Sequence, residues 1–152
     1  MLAIARNGDG MKETYKPLIG RLVLLIEEEP LLADHLGNAL TDAGAQIIGP
    51  ARTVAEARAL LVRLRTKPLA AIVSMTLFDA EGGTVSNDLT RLVMPVLLIR
   101  KTQCRLLPSS MRHTVLPVPF AASQVVRHLC RLLEARTKVQ MPPRRGAVNQ
   151  GH

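Results

Sequence analysis

The chain of 152 residues has no tryptophan, one tyrosine (Tyr15) and two phenylalanines (Phe78 and Phe120). Recognition of nucleic acid by base stacking needs aromatic platforms, and this sequence offers almost none. Cysteine is nearly as scarce. Cys104 and Cys130 stand far apart without metal-ligand spacing, which reads as two reduced thiols in a cytoplasmic protein. No apolar run reaches the length of a membrane span. The opening MLAIARNGDG has too short an apolar stretch for a secretory signal. Also missing is a glycine phosphate loop after the first apolar run. No histidine is placed as the base of a nucleophile pair: His35, His113 and His128 fall on or near helices or in a loop, and His152 is in the tail. The sequence therefore reads as a non-enzyme.

What the chain has is aliphatic. Apolar residues make up 47% of it, so its core must be built from Leu, Val, Ile and Ala. The length favours one domain with tails. The 20 Lys and Arg against 12 Asp and Glu give a formal charge of +8, a balance that favours acidic partners. The cations are scattered over the predicted helices. Only the tail gathers a small cluster, Arg136, Lys138, Arg144 and Arg145. A small nucleic-acid-binding regulator using that tail is a lesser alternative.

Along the chain, residues 1–19 carry Gly8, Gly10 and Pro17 and read as an N-terminal arm. RLVLLI (21–26) is a continuous apolar run, the mark of a strand buried on both faces. After Glu27, Glu28, Glu29 and Pro30, Leu31, Leu32, Leu36 and Leu40 recur at helical spacing, with Gly44 as the stop. AQIIG (45–49) reads as a short second strand. Thr53 to Glu56 fits a capping box opening an amphipathic helix that ends before Pro68. LAAIVSM (69–75) reads as the third strand, DAEGGTVSN as a loop, and Asp88 to Val93 as a weak helix. MPVLLI (94–99) and TVLPV (114–118) read as the fourth and fifth strands. Ser123 to about Lys138 is the strongest helix, with Val125, Val126, Leu129, Leu132 and Leu133 on one face. Residues 139–152 read as a disordered basic tail.

Strands buried on both faces and alternating with helices imply α/β architecture with a parallel sheet covered on both sides. Five such units without a phosphate loop imply the doubly wound, flavodoxin-like order 2-1-3-4-5. The carboxyl ends of the strands should then bring Glu27, Glu28, Ser74, Arg100 and Val118 to one crevice.

VLLIEEEPLLADHLGNALTDAGAQIIGPARTVAEA (23–57), AAIVSMTL (70–77), MPVLLIR (94–100) and VPF (118–120) together resemble the response-regulator receiver domain of two-component signalling. The resemblance spans about residues 20–137, within a receiver-like domain placed at 20–138. It implies phosphotransfer from a phosphohistidine to an Asp, with a divalent cation, a Lys and a Ser or Thr. Glu27 and Glu28 fall on the acidic metal-binding positions. Ser74 falls on the phosphoacceptor, Arg100 on the Ser or Thr, Val118 on the Lys and Val115 on a switch aromatic.

A neutral serine without a partnered base is a poor nucleophile. Losing one of three carboxylates weakens a site for Mg²⁺, which demands near-octahedral oxygen ligation. No cofactor is therefore expected, and Mg²⁺ binding should be weak or absent. Arg100 is expected to take the metal's place as counter-charge to Glu27 and Glu28, the alternative being that it points to water. The implied function is a stand-alone, phosphorylation-independent pseudo-receiver acting in phosphorelay signalling. Its implied partners are a histidine kinase, another receiver or a second copy of itself, with neither membrane nor nucleic acid expected. The alternative is an unconventional receiver phosphorylated at Ser74 or at nearby Asp79 or Glu81. Pro119 is expected to keep the family's cis peptide and Phe120 to be core. The 14 residues between Arg100 and Val115 leave room for a short fourth helix or none.

Overall fold

The computed structural model describes residues 15–101 and 114–140. Five strands form one parallel sheet in the order β2-β1-β3-β4-β5. They are β1 (Leu22–Ile26), β2 (Gln46–Ala51), β3 (Ala70–Ser74), β4 (Val96–Arg100) and β5 (Thr114–Pro117). Four helices are described: α1 (Pro30–Asp42), α2 (Val54–Val62), α3 (Met75–Arg91) and α4 (Ala122–Gln140).

The pleat explains why the central strands are apolar at every position. Side chains alternate between faces, and both faces are covered. Leu24, Ile26, Ala71, Val73, Val96 and Leu98 join Ala57, Phe78, Val85 and Leu89 in one core, beneath α2 and α3. Val23, Leu25, Ala70, Ile72, Leu97 and Ile99 join Leu36, Leu40, Val125 and Leu129 in the other, beneath α1 and α4. Phe120 packs against this second core and is only partly buried. The peptide between Val118 and Pro119 is cis, as is that between Gly49 and Pro50.

The helix ends follow local chemistry. Thr53 Oγ1 accepts from the Glu56 N–H at 3.0 Å, and the Glu56 carboxylate reaches back to the Arg52 N–H at 2.8 Å. This is the expected capping box displaced by one residue at its return bond. Gly44, at φ +94°, closes α1. A Cβ there would lie 2.9 Å from both Ile19 Cα and Lys16 Cβ. The glycine therefore lets the preceding segment lie against the helix end.

Two expectations are corrected. The domain does not begin at residue 20: Leu18 is fully buried and its N–H donates to the Ala43 carbonyl at 2.8 Å. The segment DAEGGTVSN is not one loop. α3 starts directly after β3 and breaks only at Ala80 to Gly83. Beyond the glycine pair, Val85 and Leu89 sit four residues apart and bury one helical face. The short or missing fourth helix concerns residues 102–113, and most of the basic tail residues 141–152; both lie outside the described residues. Cys104 lies there too, while Cys130 is a free thiol whose pKa burial pushes up, with Glu134 adding to the shift.

Candidate functional site

The site forms where β1, β3 and β4 end. Glu27 continues the inward parity of Val23 and Leu25 and is fully buried. Its Oε2 accepts from the Glu29 N–H at 3.0 Å and from Lys101 Nζ at 2.9 Å. Its Oε1 is buried without a hydrogen-bond partner among the described residues. Glu28, 29% exposed, receives two donors: Lys101 Nζ on Oε2 and the Ser74 hydroxyl on Oε1, both at 2.6 Å. Glu29 Oε2 lies 3.8 Å from the same ammonium.

Ser74 is the last residue of β3 and has no exposed surface. Its hydroxyl donates to Glu28 and accepts from the Leu77 N–H at 3.1 Å. One oxygen therefore caps α3 and ties β3 to the end of β1. Ser74 is in extended conformation (φ −66°, ψ 139°), as an N-cap must be. This bond explains why the chain turns from strand to helix without a loop.

The counter-charge expected from Arg100 comes from Lys101 instead. Arg100 continues the parity of Val96 and Leu98, which belong to the opposite face. Its carbonyl accepts from the Val118 N–H at 3.0 Å, which ties β5 to β4. Lys101 follows Leu97 and Ile99 to the side where Glu27 lies. Its stem is largely covered, with 17% of the side chain exposed. The apolar side chain of Val118 lines the adjoining cleft of about 740 Å³ with His35, Thr76, Pro119 and Phe120. Val115 is partly buried against the core under α2 and α3.

The charges respond to this packing. Burial pushes the Glu27 carboxyl above its usual range, against the hydrogen bonds from the Glu29 N–H and Lys101. Burial also acts upward on Glu28, but hydrogen bonds from Lys101 and Ser74 outweigh it and leave that carboxyl low. On Lys101 burial acts downward, and the hydrogen bonds to Glu28 and Glu27 outweigh it, so its pKa lies above the ordinary 10.5. A raised lysine contributes stability that is complete below its unfolded value and lost as pH rises through its folded value. A depressed Glu28 contributes stability that is lost as pH falls through its folded value, and the raised Glu27 opposes that acid loss. Thermal melts should therefore hold steady through neutral pH and fall above about pH 10.5. The alkaline fall should shrink in Lys101→Met.

Chemically, two carboxylates hold one ammonium, and a hydroxyl donates to one of the carboxylates. This donor set does not fit Mg²⁺, which takes six oxygens at near-ideal octahedral geometry. Both carboxylates already face a cation, and the hydroxyl is turned toward one of them. Among the described residues, no group of three His, Cys, Asp or Glu is arranged to hold a metal ion. No described helix is long and apolar enough to cross a membrane.

No protein-family model and no curated protein matches the chain. Solved structures do. The receiver domain of PhyR from Erythrobacter litoralis is 26% identical with a TM-score of 0.63, over 76% of this chain and 92% of that one. The fold is that of a response-regulator receiver domain. SdrG from Sphingomonas melonis Fr1 agrees, at 26% identity and a TM-score of 0.61, over 76% of this chain and 98% of that one. The response regulator PhyR from Brucella abortus is 22% identical with a TM-score of 0.65, over 89% of this chain. The receiver-type chain spans about half of that longer protein, 54% of it. These neighbours are signalling regulators.

Of the residues singled out in sequence, the structure joins Glu27, Glu28 and Ser74 in one bonded network and sets Val118 beside it. It leaves Arg100 on the other side. Asp79 and Glu81 are exposed, just before and within the break of α3. Sequence reading missed Lys101. The available signal was the pleat: the position after Arg100 has the parity of Leu97 and Ile99.

Proposed function

We propose that this chain is a phosphorylation-independent receiver-type module that acts by binding protein in two-component or phosphorelay signalling. One observation carries the reading: the Lys101 ammonium sits between Glu27 and Glu28 while Ser74 donates to Glu28. The positive charge that a receiver borrows from a metal ion is here covalently attached to the chain. A buried hydroxyl with both its donor and an acceptor position occupied is not poised for attack on phosphorus.

With the pocket fixed in one charge state, regulation depends on what the surface binds. A histidine kinase, another receiver or a second copy are partners suited to a receiver fold. PhyR from Bartonella quintana, 26% identical over 79% of this chain, is described as an anti-anti-sigma factor. That likeness supports a protein partner in sigma-factor regulation as a further class.

Incubation with acetyl phosphate and Mg²⁺, followed by intact-mass measurement, tests the proposal. No phosphoryl gain is expected. A stable gain of one phosphoryl group would contradict it and favour an unconventional receiver modified at Ser74, Asp79 or Glu81.

A further inference from the structure

We infer that the face formed by α2 and the end of α3 is a docking groove for an acidic amphipathic helix of a partner protein. Two adjoining recesses, of about 500 and 150 Å³, run between these elements and share Leu92. Their apolar surface comes from Ala55, Ala59, Leu61 and Val62 on one side and from Leu92 and Met94 on the other. Val62 is 85% exposed and Val93, adjoining Leu92, is 74% exposed. Both are large apolar side chains left in water far from the Lys101 network.

Val93 carries the second observation. It has φ +54°, and it follows the C-cap of α3. The Met94 N–H bonds to the Leu89 carbonyl at 3.0 Å, which completes the helix-terminating turn. Glycine fills such a position without steric cost, whereas a β-branched residue there is an outlier. The exposed valine gains no burial in return. Backbone strain of this kind clusters at ligand clamps and switch regions. Val62 thus lines the first recess, and Val93 follows Leu92, which lines both.

Charge selects the occupant. Among the described residues, Arg58, Arg65, Lys67 and Arg91 line the recesses against a single acid, Asp88. Asp88 is already shared, by Arg58 at 2.9 Å and by Arg91. Arg65 and Lys67 are exposed, and no hydrogen bond or ion pair to either is among those described. A second copy presenting the same cations would be repelled. An acidic helix with an apolar stripe matches both the floor and the rim.

The inference rests on the reading of the chain as an interaction module and assigns it a surface, yet its test is separate from phosphorylation. The probe is a labelled helical peptide with a leucine stripe flanked by glutamates, set against the same peptide with lysines and against phosphatidylglycerol vesicles. The glutamate peptide should bind the full chain in the micromolar range, at least tenfold tighter than the lysine peptide, and more weakly as salt rises. Val62→Asp should weaken it at least tenfold. Val93→Gly should weaken it at least threefold while keeping or raising the melting temperature, an outcome that a purely structural role for Val93 does not give. Absence of binding, equal binding of both peptides, indifference to Val62→Asp and Val93→Gly, or binding of vesicles alone would each overturn the inference. Those failures would leave the acetyl phosphate result, and with it the reading of the pocket, untouched.

Discussion

Lys101→Met should destabilise the domain by about 3–5 kcal/mol, the range seen when one partner of a buried ion pair is removed. The substitution keeps most of the apolar stem and deletes the ammonium. Glu27, with no exposed surface, is then left as an uncompensated carboxylate beside Glu28. For a domain of this size the melting temperature should fall by on the order of 10 °C. The loss should narrow as pH is lowered and Glu27 takes up a proton. Adding Glu27→Gln should recover part of it, because the charge left behind causes the damage rather than the contact itself. Thermal and urea melts of the three variants measure this. Equal stability of Lys101→Met and the native chain would mean that the ammonium is not holding the carboxylates.

Ser74→Asp supplies the second large effect, and it runs against the intuition that restoring a phosphoacceptor restores a receiver. Ser74→Ala loses the helix cap, about 0.5–2 kcal/mol, and takes one donor from Glu28. Aspartate keeps the capping ability. Its carboxylate, however, would replace a hydroxyl that lies 2.6 Å from Glu28 Oε1. Two carboxylates about 3 Å apart repel by several kcal/mol even at an effective dielectric of about 20. At neutral pH Ser74→Asp should therefore be less stable than Ser74→Ala by about 1–3 kcal/mol, with partial protonation limiting the cost. The difference should vanish toward pH 4–5, about where carboxyl groups ordinarily titrate. Urea titrations of both variants at two pH values decide it. An aspartate variant as stable as the alanine one would show that the network tolerates a third carboxylate.

The central strands were legible because they are buried on both faces. LVLLI and VLLIR admit no solvent side, so a continuous apolar run identifies them. Residues whose placement depends on tertiary contact were harder. Leu18 looks like part of a loose arm until Gly44 makes room for it against the end of α1. The start of α3 hides behind a glycine pair, because Ser74 joins capping to a bond across the sheet. Glu27, Glu28 and Ser74 could be placed at one strand end by topology. The cation could not be chosen by charge alone, since Arg100 and Lys101 are adjacent and equally positive. The pleat separates them, and the flexible lysine stem reaches carboxylates on two consecutive residues.

The most direct measurement is an NMR titration of the native chain with Mg²⁺, alongside a Ser74→Asp, Lys101→Met variant. If the Lys101 ammonium stands in for the metal ion, the native amides of Glu27, Glu28, Ser74 and Lys101 should show no saturable shift at low millimolar Mg²⁺. The double variant, with three carboxylates and no ammonium, should show one. Saturable shifts confined to those residues in the native chain would contradict the claim that a lysine has replaced the metal.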